Sequence, residues 1–188
     1  MGVGTDGIAA FEGNKQYNLT LQTRLVASLD VLKDVTGRPE FVTQAAGATT
    51  SVDARFYQEG AYMAETYHRT EAPLIGIVTD LPGACVKARG DRFACLYPFD
   101  YLVWTESVAN SANGLTQYAE THFPRGTREL WLTGGVSART AQELKERRWD
   151  VHPEGMYVLP AQPATKPSDV ETPTTTPPNE TTPAAPQK

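Results

Sequence analysis

Residues 129–152 read ELWLTGGVSARTAQELKERRWDVH, and this stretch decides the fold class. The apolar run through Leu130, Trp131 and Leu132 has the composition of a strand and breaks at Thr133-Gly134-Gly135. Ser137 follows, a residue whose hydroxyl satisfies the free amides of a helix's first turn, so a helix is expected over 138–148. Trp149 to His152 then reads as a short strand. Strand, helix and strand in succession make a βαβ unit, with its two strands parallel and its crossover right-handed. The expected architecture is α/β (or α+β): a mixed sheet covered by helices.

Outward from this unit, Asp100 is an N-cap residue type, and Trp104, Val108, Ala112, Leu115, Ala119 and Phe123 recur at helical spacing behind it. Gly114 lies inside that helix, and Pro124-Arg125-Gly126 ends it. Before it, ACVKARGDRFACLYPF (84–99) gives two short arms around Arg89-Gly90-Asp91, a hairpin. APLIGIVTD (72–80) is a short apolar run, the signature of a strand buried on both faces. ARFYQEGAYMAETYHRT (54–70) reads as another hairpin, turning at Glu59-Gly60. Phe41–Gln44 reads as a short strand, and Leu21, Leu25, Leu29, Leu32 and Val35 as one stripe of a helix stopping at Gly37. Met156–Leu159 is a last strand candidate.

The domain organisation follows from composition. Residues 1–13 are Gly-rich and read as a flexible lead-in, and 14–160 as a single α/β domain. Residues 161–188 contain no aromatic and seven of the chain's 14 prolines; such a Pro/Thr-rich tail cannot offset its ordering entropy and is expected to be disordered. The net charge is −5, and without the tail 15 basic and 19 acidic side chains remain, or −4. An acidic domain lacks the clustered Lys/Arg that nucleic acid requires; Lys145, Arg147 and Arg148, interrupted by Glu146, read as a solvated helix face. No run approaches the ~20 apolar residues of a membrane span, and no signal peptide is visible at the start, so an exported form would be a mature or truncated chain.

Cys85 and Cys95 lie five positions either side of Gly90. With the turn centred there they face each other across an antiparallel pair, close enough for a disulfide in its narrower type. Two buried free thiols are the other reading. A disulfide implies an oxidising compartment. The spacing suits no zinc site, and His68, His122 and His152 are scattered, so neither a metal nor a cofactor is expected. Asn18-Leu19-Thr20 and Asn179-Glu180-Thr181 fit the glycosylation pattern.

Two resemblances concern chemistry. CVKARGDRFAC places Arg89, Gly90 and Asp91 on a Cys-bounded turn, which resembles the display used by disintegrin-type integrin ligands and implies a contact with a protein partner. Gly-Asp is also ordinary turn chemistry. The second concerns two strand ends, Asp80 after LIGIVTD and Thr133 after LWLTGG. If those strands are parallel neighbours, both residues share one edge, the amides of Gly134 and Gly135 lie exposed beside them, and the helix opening at Ser137 adds an anion site. This is similar to part of a haloacid-dehalogenase-type phosphatase, and implies phosphate-ester hydrolysis with Asp80 and Thr133 as catalytic residues. Pro82 stands where that family has its second carboxylate, and no acidic pair follows for magnesium. The leading reading is therefore a non-enzymatic interaction domain working outside the cytoplasm, its ligand unassigned, its partner an unknown protein and its tail a tether or spacer. A hydrolase at the Asp80/Thr133 edge is the alternative.

Overall fold

The computed structural model describes Gly2 and residues 4–156. The tail, the second glycosylation sequence and nearly all of the Met156–Leu159 strand candidate lie outside the described residues. The fold is mixed α/β, as the βαβ reading requires. Four helices come first: α1 (Thr5–Gly13), α2 (Leu19–Val31), α3 (Arg38–Ala46) and α4 (Ser51–Thr70). Strands β1 (Leu74–Val78), β2 (Ala84–Ala88), β3 (Arg92–Tyr97) and β4 (Tyr101–Leu102) follow. Then come α5 (Glu106–His122), β5 (Thr127–Leu132), β6 (Gly135–Val136), α6 (Ala138–Glu146) and β7 (Asp150–His152). The main sheet has the order β1-β2-β3-β5-β7, and β4 and β6 form a separate parallel pair. β1–β2 and β2–β3 are antiparallel, whereas β3–β5 and β5–β7 are parallel. The unit β5-α6-β7 is the one legible in residues 129–152. A second crossover, β3-α5-β5, precedes it.

Several local expectations are corrected, the first being the stripe over 21–35, whose helix α2 ends at Val31 and not at Gly37. Residues 54–70 are not a hairpin but most of the long helix α4. Thr50 and Asp53 close a capping box at its start: Thr50 Oγ1 accepts from the Asp53 amide at 3.1 Å and Asp53 Oδ2 from the Thr50 amide at 2.9 Å. Buried Ala54, Gln58, Ala61, Ala64 and Tyr67 recur at three and four residues, a helical period. Gly60 is not a turn residue, since a Cβ there would stand 3.2 Å from the Ala84 Cβ; it lets α4 approach β2 closely. Phe41–Gln44 is not a strand but part of α3, started by Gly37 at φ 83° with Pro39 in the first turn. The supposed lead-in forms α1, anchored by buried Phe11 against Tyr17 with ring centroids 4.9 Å apart. Helix α5 starts at Glu106 rather than near Asp100, with Thr105 Oγ1 accepting from the Val108 amide at 3.2 Å.

β1 is an edge strand rather than one buried on both faces, and its Ile75 is 44% exposed. Residue Thr36 covers that edge: its amide donates to Ile75 O at 3.2 Å, and its carbonyl accepts from the Ile77 amide at 2.8 Å. Strand alternation divides the rest of the sheet into two faces. Val86, Ala94, Leu96 and Trp131 point to the first, where α4 lies with α2, α3 and α1 behind it. Cys85, Phe93, Cys95, Leu130 and Leu132 point to the second, under α5 and α6.

Candidate functional site

The carboxyl ends of β1 and β5 do point to the same end of the sheet, but β2 and β3 lie between them. Asp80 and Thr133 are therefore not on neighbouring strands. Asp80 is exposed on the bend after β1. The glycine amides are not free either. Gly134 N–H donates to Phe99 O at 2.9 Å and Gly135 N–H to Asp100 O at 3.0 Å, while Thr133 Oγ1 donates to Phe99 O at 3.1 Å. A Cβ at Gly134 would fall on the Asp100 backbone, so glycine is required for this approach. At the start of α6, Ser137 Oγ caps the Thr140 amide at 3.2 Å and Ser137 N–H donates to Leu102 O. The segment Phe99–Leu102 thus occupies the place where an anion would sit.

Beside that plug, on the second face, is a cavity of about 480 Å³ between α5, α6 and the sheet, within the ordinary range for a small-molecule site. Leu115, Leu130, Leu144 and Trp149 line its depth; Leu81 and Phe56 line its side. Exposed lining residues Pro82, Phe99, Ser107, Ser111 and Gly114 mark its mouth. No lining residue is charged. The Trp149 Nε1–H is already donated to Thr116 Oγ1 at 2.9 Å, which leaves the floor without a free donor from the indole. One wall is an aromatic stack: Tyr97 and Phe99 lie 5.4 Å apart, and Phe56 lies 6.0 Å from each. The sequence marks several of them as helix or strand residues but not as sharing a cavity, because they come from separate segments of the chain.

The hairpin register pairs Cys85 directly with Cys95 and centres on Gly90. Both residues are fully buried free thiols, their sulfurs 2.7 Å apart. Cys85 Sγ also lies 3.3 Å from Tyr97 Oη, and Tyr97 Oη donates to Pro82 O at 3.3 Å. Burial, then the two thiols, holds the Tyr97 phenol far above its ordinary range. Burial likewise pushes the Cys95 thiol up, reinforced by Cys85. The tyrosine ties the sulfur pair to the cavity's aromatic wall.

Arg89, Gly90 and Asp91 form the exposed tip at the opposite end of the sheet, Gly90 at φ 84° and Asp91 at φ 56°. Asp91 O accepts from the Thr127 amide at 3.1 Å, which fixes the tip against β5. Asn18 is used as the cap of α2, its Oδ1 accepting from the Leu21 amide at 2.9 Å. His68 lies on α4 rather than on a strand, and its Nδ1 accepts from the Leu74 amide at 3.0 Å. His152 lies in β7 and stacks on Trp131 at 4.0 Å.

A buried ion pair on the first face also escaped the sequence reading. Glu129 accepts from Arg92 Nε at 2.6 Å, Tyr67 Oη at 2.8 Å and Trp131 Nε1 at 2.9 Å. Burial raises its pKa, but those hydrogen bonds outweigh it and hold the carboxyl below its usual range. With its oxygens all engaged it is a structural group.

Fold and site together define a mixed α/β domain with an apolar side cavity. No protein-family model matches the chain, and neither a curated protein nor a solved structure matches it.

Proposed function

We propose that this chain is a non-enzymatic binding domain that acts outside the cytoplasm and seats its ligand in the apolar cavity beneath α5. The observation that carries the reading is the lining: about 480 Å³ of space walled by aromatic and aliphatic side chains, with no charged residue among them. Leaving such surface open to water is unfavourable, and a ligand that covers it recovers that free energy. A hydrolytic role at Asp80 and Thr133 has less behind it, because the amides it would use are bonded to Phe99 and Asp100. The extracytoplasmic part rests on the cysteines. They stand here as free thiols with sulfurs 2.7 Å apart in directly paired positions, so oxidation would join them with little backbone movement, and the resulting disulfide would add stability by restricting the unfolded chain. At the other end of the sheet the exposed Arg89-Gly90-Asp91 tip supports a second contact, with a protein partner.

One preparation tests both parts. Native protein treated with an alkylating reagent before any reduction is expected to leave Cys85 and Cys95 unlabelled, and to label both after unfolding in reductant but not after unfolding without it. Titration with the uncharged dye N-phenyl-1-naphthylamine is expected to give saturable, one-to-one fluorescence. Ser111→Phe, which fills the mouth, is expected to weaken the dye by about tenfold or more while leaving thermal unfolding intact. No saturable binding by the wild-type chain ends the cavity reading; thiols that label after unfolding without reductant end the compartment reading.

A further inference from the structure

The cavity's interior is neutral, but its mouth is not. Asp100 directly follows Phe99, and Glu106 directly precedes Ser107; both carboxylates are exposed. Asp80 precedes the lining residue Leu81 and lies near α5, where burial and then the Asp80 charge raise the Tyr118 phenol. Glu59 sits three residues beyond Phe56 on α4: burial raises its carboxyl, neighbouring Arg55 draws it down, and Asp100 raises it again. Arg55 is the cation on this side. On the α6 side Arg147 is committed elsewhere, to Glu143 at 2.9 Å, to Asn113 at 3.0 Å and over the Trp104 ring at 5.0 Å. Next to the lining residues at the mouth and on its α4 side, four carboxylates stand against one guanidinium, a local excess of negative charge.

We infer that the cavity selects a cationic amphiphile, an alkyl or aryl body with an ammonium group, and discriminates against the same body carrying a carboxylate. The inference rests on the cavity being the ligand site. Two independent features support the sign of the charge. The exposed carboxylates attract a cation to the mouth and repel an anion there, an effect that salt screens. Phe99, the exposed member of the Phe56/Tyr97/Phe99 stack at 37%, lines the mouth, and an ammonium group that reaches its ring is stabilised by the ring quadrupole. The hydroxyls of Ser107 and Ser111 are compatible with either head group and do not decide it.

The test compares three ligands of one chain length, decyltrimethylammonium, decanol and decanoate. Each competes against N-phenyl-1-naphthylamine at neutral pH and below its micellar concentration. The ammonium compound is expected to displace the dye at a concentration about tenfold lower than decanoate, with decanol between. Added salt should narrow that gap, and Asp100→Asn combined with Glu106→Gln should narrow it without weakening decanol. Equal or reversed competition by decanoate overturns the charge inference while leaving the cavity as the ligand site. Failure of all three to displace a dye that itself binds overturns it as well. A chain that binds neither dye nor ligand refutes the cavity reading itself.

Discussion

Against the first face of the sheet α4 presents Gly60, Ala61 and Ala64, and the strands answer with Ala84, Ala88 and Ala94. Small residues on both sides let helix and sheet approach closely there, Tyr67 further along α4 meets Trp131 edge to face at 5.6 Å, and the layer behind holds fully buried Leu25, Leu29 and Phe41. On the second face the contacts are large rings. Phe93 stacks on Phe123 at 4.9 Å and meets Tyr118 and Trp149 at 5.7 and 5.9 Å. Rings of this size hold the carboxyl-terminal part of α5 in place but do not fill the space under its first turns, and the cavity is what remains. Where helix meets sheet, the first face is thus closed around Gly60 and the second is open under the first turns of α5.

The largest expected effect breaks the closed side. Leu29 is fully buried in the α2 layer, so Leu29→Ala removes packed methyls and leaves a void, at about 3–5 kcal/mol. Leu115 already borders open space on the second face, and Leu115→Ala should cost about 1 kcal/mol, because few atoms lose partners. Urea unfolding of the two variants measures the comparison directly. Equal losses would mean that the cavity is closed in solution.

The next effect is electrostatic and also belongs to the closed face. Glu129→Gln leaves Arg92 without its anion and should cost about 2–3 kcal/mol, less than a fully enclosed pair because Arg92 keeps 27% of its side chain exposed. The sign with pH follows from the lowered pKa of Glu129. A carboxyl depressed in the folded state contributes its stability fully above the unfolded value of about 4.3 and loses it as pH falls through the folded value. The gap between wild type and Glu129→Gln should therefore be constant near neutrality and shrink in acid. A gap that persists at low pH would show that shape rather than charge matters at this position.

How much of this could be read from residues alone depends on range. The βαβ unit was legible because Ser137, the apolar run before it and the helix after it are contiguous, and the hairpin register because Gly90 sits midway between the cysteines. The long helix α4 was misread because Gly60 serves a close approach to Ala84, a partner remote in sequence, and a glycine beside Glu59 looks locally like a turn. β4 has two residues and exists only through its pairing with β6, which no local pattern announces. The turn into that pairing also takes up the Gly134 and Gly135 amides, so the strand and the loss of free amides at that edge have one long-range cause. Glu129 did leave a signal: an acid inside the run TREL that continues a strand needs a partner, and Arg92 begins the strand beside it.

The smallest effect compares two mid-helix glycines and should show opposite signs. In α4, Gly60→Ala places a methyl carbon 3.2 Å from the Ala84 Cβ, tighter than ordinary contact. The helix must move off β2 or strain, and the gain in helix propensity is offset; a net loss of about 1 kcal/mol is expected. In α5, a Cβ at Gly114 meets nothing within 4 Å. Gly114→Ala then gains what a helix interior gains from alanine, about 0.5–1 kcal/mol, partly by restricting the unfolded chain. Thermal unfolding of the two variants side by side decides the matter. If Gly114→Ala were also destabilising, α5 would have to lie closer to its surroundings than the open mouth allows, and the contrast between a closed and an open face would fall with it.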